Sequence, residues 1–254
     1  MTALGTAGLP ARRDGLRAAA TLTVDRDGGR PRIRWTHAWP VVLRPTGAEQ
    51  VHLVHGAGGP LGGDVLSLDV RVGPSASLAV RSAGATIVQP GRGGEPARWE
   101  TTVTVGAGGR LDWAPEPTVV TDGAEFVTSL RIALDAGASA VVRELVVLGR
   151  HGRAGGTYRG HLSVTLDGQP LLVHTTRLDG ADPALSGPGG TAGARAIGTL
   201  LLAGVAESPA GAGERPGVRW AWSGLDGPGA MLLAVGDPGR VTAVLDEAGA
   251  VSRA

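Results

Sequence analysis

One carboxylate, Asp64, is delivered by a glycine-dense turn into an alternating strand, within the run HLVHGAGGPLGGDVLSLDVRV from His52 to Val72. Seven of the eleven residues from Gly56 to Leu66 are glycine, proline or alanine, which leaves Asp64 as the one charged group of that stretch. Glycine admits backbone angles that other residues avoid, so an acid presented by such a turn has the form of a placed acid and not of a solvated surface charge. Phosphate chemistry does not fit. A P-loop needs a lysine after its glycines, and the chain contains none. A dinucleotide fingerprint starting at Gly56 would place its third glycine at Leu61, and the LSLDVRV that follows alternates as a strand where a helix is required.

Two further acids stand in unusual settings. Glu116 lies between Pro115 and Pro117 in WAPEPTVV, and a residue before proline is pushed toward extended angles. Glu144 interrupts the apolar run AVVRELVVLGR, where a buried acid is disfavoured unless it is paired or metal-bound. Either Arg143 and Glu144 face opposite sides and another arginine satisfies the glutamate, or Glu144 is a functional acid. Asp64 with Glu116 or Glu144 could form the acid pair of a β-helical carbohydrate-active enzyme, although one Phe and one Tyr leave little sugar-stacking surface beside the six Trp. A hydrolase nucleophile elbow, G-x-S-x-G, does not occur. His52 and His55 are three apart, which on a strand sends them to opposite faces and argues against a joint chelate; His52 shares a face with Val54, predicting its burial. Trp220 and Trp222 share another strand face and suit either core packing or a partner anchor.

The elements that must carry these residues are strands. From Ala19 the chain reads as a hairpin turning at Asp27-Gly28-Gly29, and VTLDGQPLLVH reads as a second one turning at Asp167-Gly168. Between them VGPSASLAV, VGAGGRLDW and LDAGASAVV form a weak repeat at offsets of 33 and 29 residues. Each copy reads as a hairpin-like corner, stacked as a solenoid or strung out as an antiparallel meander. AIGTLLLAGV is a buried strand pattern, residues 181–195 and 207–218 read as flexible loops, and residues 239–249 read as a short helix. The prediction from the residues is a mainly β single domain spanning 1–254 with one or two short helices, its repeated β-hairpin-like corners leaving solenoid and meander open.

Composition narrows the function classes. The 24 basic residues are all arginine, scattered among 23 acids for a net charge of +1, which is no nucleic-acid footprint. Cysteine is absent, which excludes disulfides, thiolate metal sites and cysteine nucleophiles and leaves His, Asp and Glu as metal ligands. The first twenty residues lack a continuous apolar core for export, and no run approaches the roughly 18 apolar residues of a membrane span. A cytoplasmic protein with neither nucleic-acid nor membrane partners is expected.

Taken in order, GPLGGDVLSLDVRVG, ATIVQPGRGGEPARW, LDWAPEPTVVTDGAEF, RELVVLGRHGRAGG and DGQPLLVH resemble the urease accessory protein UreD (UreH) family over about Val51 to Ala203. The resemblance implies a non-enzymatic chaperone that works with UreF and, through UreF, the GTPase UreG to support nickel insertion into apo-urease. It implies a solenoid-like β fold with an internal tunnel, nickel in transit and no tightly bound cofactor. It also implies that Asp64 of GPLGGD, Thr86 of GAT and Glu144 of VRELVVLGR belong to the nickel path, with Glu116 of the PEPT element a further candidate ligand. His174 stands where the family pattern is often acidic, and is an imidazole ligand or lies off the path.

Overall fold

Two-residue periodicity and left-handed turns build almost every element. The computed structural model describes residues 15–150, 152–206 and 209–251; the opening residues 1–14, on which the export reading rests, lie outside them. Strands β1 (Arg17–Asp27) and β2 (Arg30–His37) form the expected first hairpin, with Asp27 opposite Arg30 and Gly28 and Gly29 at φ 56° and 80°. Those positive angles are what a two-residue turn matched to strand twist requires. A second hairpin, β3 (Val41–Gly47) with β4 (Gln50–His55), follows.

Three coils then stack. The first runs through β5 (Val65–Val72), β6 (Ser77–Ser82) and β7 (Thr86–Val88), the second through β8 (Ala97–Val105), β9 (Arg110–Trp113) and β10 (Thr118–Val120), and the third through β11 (Glu125–Leu134) and β12 (Ser139–Leu148). β5, β8 and β11 pair in parallel in one sheet, and β6, β9 and β12 do so in the other. The weak sequence repeat is the corner between the sheets: Ser75, Gly108 and Gly137 hold φ 53°, 66° and 69°, and Ala76, Gly109 and Ala138 each donate to the carbonyl three residues back. Successive corners also bond to each other, Ser75 N–H to Ala107 and Gly108 N–H to Ala136. The solenoid expectation holds, with about four turns and 58% strand. The hairpin-like reading of the corners is corrected, because the two strands flanking each corner enter different sheets and pair with the next coil.

The expected hairpin at Asp167-Gly168 closes β13 (Thr157–Leu166) on β14 (Gln169–Asp179). A one-turn helix, α1 (Pro183–Ser186), lies inside the predicted 181–195 loop. β15 (Ala196–Ala203) is the predicted buried strand. Residues 207–218, read as a linker, instead contain β16 (Gly211–Arg215), which pairs with β17 (Val218–Gly224), itself paired with β18 (Gly229–Gly236). Glycine and proline punctuation there marks the turn at Gly217 (φ 80°) and not an unstructured span. The final helix, α2 (Pro238–Val251), covers the predicted 239–249.

The core is aliphatic. Leu22, Leu66, Leu68, Leu134 and Leu162 face Leu43, Leu78 and Leu201 across the two sheets, all essentially inaccessible. A second cluster fills the space between the outer face of the β12–β15–β18 sheet and α2 through Val241, Val244 and Leu245. Trp220 and Trp222 are half-buried against that cluster, with the Arg215 guanidinium 5.2 Å over the Trp220 ring. Among the described residues no helix is long and apolar enough to cross a membrane.

Candidate functional site

The inter-sheet core is not filled throughout. Near the β7–β10 end it opens into a cavity of about 110 Å³, and the cause is a break in one sheet. β12 is continuous, but its neighbour is split: Val142 pairs with Trp113 and Val146 with Thr118, so residues 114–117 leave the ladder opposite Arg143–Leu145. The next coil leaves it too, between β6 and β7. Residues from both excursions, Ser82, Gly84, Thr86, Pro115, Glu116 and Thr118, border the cavity.

Backbone groups released from a ladder need other partners. Arg143 is buried and its Nη2 donates to the carbonyls of Pro115 (3.1 Å) and Ala114 (3.4 Å), while Nη1 pairs with Asp246 of α2. The guanidinium thus replaces the missing strand bonds and ties α2 to the cavity rim. Arg143→Leu is expected to cost about 2 kcal/mol, since it strands two carbonyls, whereas Asp246→Asn costs less than about 1 kcal/mol because Asp246 is 57% exposed. Thermal denaturation of both variants reads the difference.

Arg143 and Glu144 do face opposite sides, and Glu144 points into the cavity beside Tyr158, Thr128 and Val146. The expectation that another arginine satisfies it is corrected: among the described residues no cation lies within ion-pair distance of its carboxylate. Glu144 is half-buried and borders the hollow. This burial pushes its carboxyl up to about 7. Burial first, and the Glu144 charge second, push the Tyr158 phenol well above its usual range, against a hydrogen bond with Thr128 (3.0 Å) that pulls it down. Thr86 and Thr118 are paired strand neighbours on the rim, and the exposed Glu116 stands at the mouth, its N–H donating to the Ser82 hydroxyl (2.9 Å).

Asp64 lies elsewhere in the interior. It is 4% exposed and accepts from the N–H groups of Leu16 (2.8 Å) and Leu61 (2.9 Å), closing the glycine turn on itself and tying down the start of β1. The glycine content has a steric reason: Gly63 sits at φ 92°, and a Cβ on Gly62 would come within 2.5 Å of the Gly91 nitrogen. Asp64 borders a second hollow with Leu61, Gly91 and Arg98, and no residue lines both hollows. The acid pairing of Asp64 with Glu116 or Glu144 is therefore not assembled in one cavity. His174 sits on β14, bonded to Thr176 (3.0 Å) and away from the lining of either hollow, with burial lowering its imidazole pKa. Among the described residues no three His, Cys, Asp or Glu side chains converge to hold a metal.

One residue of the interior escaped the sequence reading. Val51 and Leu53 are buried, which sends His55, not His52, inward. His52 is bonded to Thr46 (2.8 Å) on the outer face, so the expected burial of His52 with Val54 is corrected. His55 lines the cavity with its ring 5.7 Å from that of Trp99. The alternation rule was sufficient to separate the two histidines, and the signal that could have chosen the inward one is that Val51 and Leu53 flank His55 at two-residue spacing.

Comparison of the chain with known proteins identifies a family. The family model described as UreD urease accessory protein matches residues 16–244. Proteins named urease accessory protein UreD from Parafrankia sp. and Frankia alni are 39% and 37% identical to this chain, over 89% and 93% of it and 84% and 95% of their own lengths. One from Frankia casuarinae is 35% identical over 92% of this chain and 86% of its own. Coverage of this extent runs from the first hairpin into α2, so that the chain belongs to the UreD urease accessory protein family.

Proposed function

We propose that this chain serves urease maturation as a non-catalytic, cytoplasmic scaffold that lets nickel pass through its interior toward apo-urease, in company with UreF and, through UreF, UreG. The observation that carries the reading is Glu144: an inward carboxylate with no cation of its own, facing a hollow that opens through a break in the sheet. An unpaired acid in that position costs the fold free energy, a cost that binding a passing cation would account for. Asp64 and Glu144 lie in separate hollows, an arrangement that offers oxygen ligands one at a time. Oxygen donors bind late first-row cations less tightly than nitrogen or sulfur donors do, which suits passage and release. Thr86 and Glu116 would steer a cation at the rim.

The test is urease activation in cells that carry Glu144→Gln in place of the native chain. Activation is expected to fall several-fold while co-purification with UreF is retained. Normal activation ends the conduit role of Glu144, and loss of the complex assigns the residue to structure instead.

A further inference from the structure

We propose that His55 is the nitrogen donor of the interior path and the residue by which it discriminates nickel from magnesium and calcium. The proposal rests on the nickel reading above and adds a residue to it.

The geometry fixes which ring nitrogen is available. His55 Nδ1 lies 3.3 Å from the carbonyl oxygen of Ala57. A carbonyl can only accept, so Nδ1 carries the hydrogen, and in the neutral ring Nε2 then carries the lone pair. Nε2 is buried and has no hydrogen-bond partner, while the ring borders the cavity. Histidines that ligate metals characteristically donate their other N–H to a backbone carbonyl or carboxylate, which sets both tautomer and ring orientation. The Ala57 contact supplies that arrangement, and Trp99 walls the ring on another side.

Position strengthens the assignment. His55 is close enough to Asp64 to feel its charge, and it shares a cavity with Glu144. A purely structural histidine in this place would leave a buried acceptor unpaired at a cost in stability, and Phe would fill the same space beside Trp99 without it.

The chemistry says what the nitrogen adds. Carboxylate, carbonyl and water oxygens suit Mg²⁺, Ca²⁺ and Mn²⁺ as readily as nickel, so a path of Asp64 and Glu144 alone selects poorly among divalent cations. Imidazole suits Ni, Cu and Zn. A single such donor beside a carboxylate raises affinity for late first-row cations without building a site that retains them.

The experiment is equilibrium dialysis of the purified full-length chain with Ni²⁺, alone and against a large excess of Mg²⁺, together with X-ray absorption of the nickel-loaded samples. The native chain is expected to bind nickel in the presence of magnesium and to show the scattering signature of an imidazole ligand. His55→Phe, which keeps the ring packing, and His55→Gln, which keeps a polar group, should each weaken nickel binding by about tenfold or more, lose the imidazole signature, and become sensitive to magnesium. Native-like binding and spectrum in both variants overturn the proposal. Glu144→Gln separates the two readings: weakened binding there with unchanged binding in the His55 variants removes His55 alone. If neither the native chain nor any variant holds nickel, the conduit reading falls and this inference with it.

Discussion

Replacing Asp64 by alanine is expected to destabilise the fold by about 2–5 kcal/mol, because it strands two N–H groups at once. The carboxylate is buried and accepts from Leu16, 48 residues away, and from Leu61 in its own turn. Each buried donor left without a partner costs about 1–3 kcal/mol, and because both bonds are only partly buried beside a hollow, water entering it offsets part of the sum. Asp64→Asn should recover part of the loss, since its amide oxygen can accept one of the two bonds while its NH₂ faces the other donor. Equilibrium denaturation in urea, with the three proteins compared at one pH, gives the values. An Asp64→Ala variant as stable as the native chain would show that the two hydrogen bonds do not hold the glycine turn. The prediction bears on function directly: a maturation defect in Asp64 variants is interpretable as lost nickel transfer only when folding has been measured beside it.

Glu144 is expected to behave in the opposite sense. Its carboxyl ionises near the ordinary value of 4.5 in the unfolded chain and at about 7 in the folded one, because burial penalises the charged form. Between those values the folded state holds more protons than the unfolded state, so stability falls as pH rises. The loss begins near pH 4.5, grows through about pH 7 and then levels off, reaching at most about 3 kcal/mol. Glu144→Gln removes the proton and with it this slope. Denaturation midpoints followed from acid to mildly alkaline pH should therefore converge in the acid range and separate above neutrality, with the variant gaining relative to the native chain. Parallel curves would mean that the carboxylate is hydrated in the cavity and titrates alike in both states. A chain made less stable by the very residue that activation requires would locate the cost of function in one side chain.

Much of the fold was legible because its signals are local. Period-two alternation marked the strands, the Asp27-Gly28-Gly29 and Asp167-Gly168 turns marked two of the hairpins, and repeated small residues marked corners that prove to hold the same left-handed angle at Ser75, Gly108 and Gly137. Pairing was less legible. The corner sequence looks the same whether the flanking strands meet each other or the next coil, so the hairpin-like reading failed where the solenoid reading succeeded. Residues 207–218 misled for a related reason: glycine and proline report a turn, and they do not report that β16 finds β17 across it.

For the site, residue type singled out Asp64, Glu116 and Glu144, the family resemblance added Thr86 and His174, and the fold arranged them. Thr86, Glu116 and Glu144 line one cavity, Asp64 lines another, and His174 lines neither. His55 was passed over because strand alternation separates it from His52 without saying which face is inward. That answer depends on Val51 and Leu53 packing into the core. The Arg143 pairing with Asp246, 103 residues distant, and its capture of the Ala114 and Pro115 carbonyls have no local signature at all.

The amino-acid sequence by itself determined a chain of alternating strands and small-residue corners and the chemical types available inside it, since alternation, turn residues and composition act over a few neighbouring positions. The tertiary structure alone decided where the ladder breaks, which histidine faces the hollow and which acid is left without a cation. Those outcomes depend on register between coils about thirty residues apart, and a shift of one residue would have turned Glu144 to the α2 side and Arg143 into the cavity.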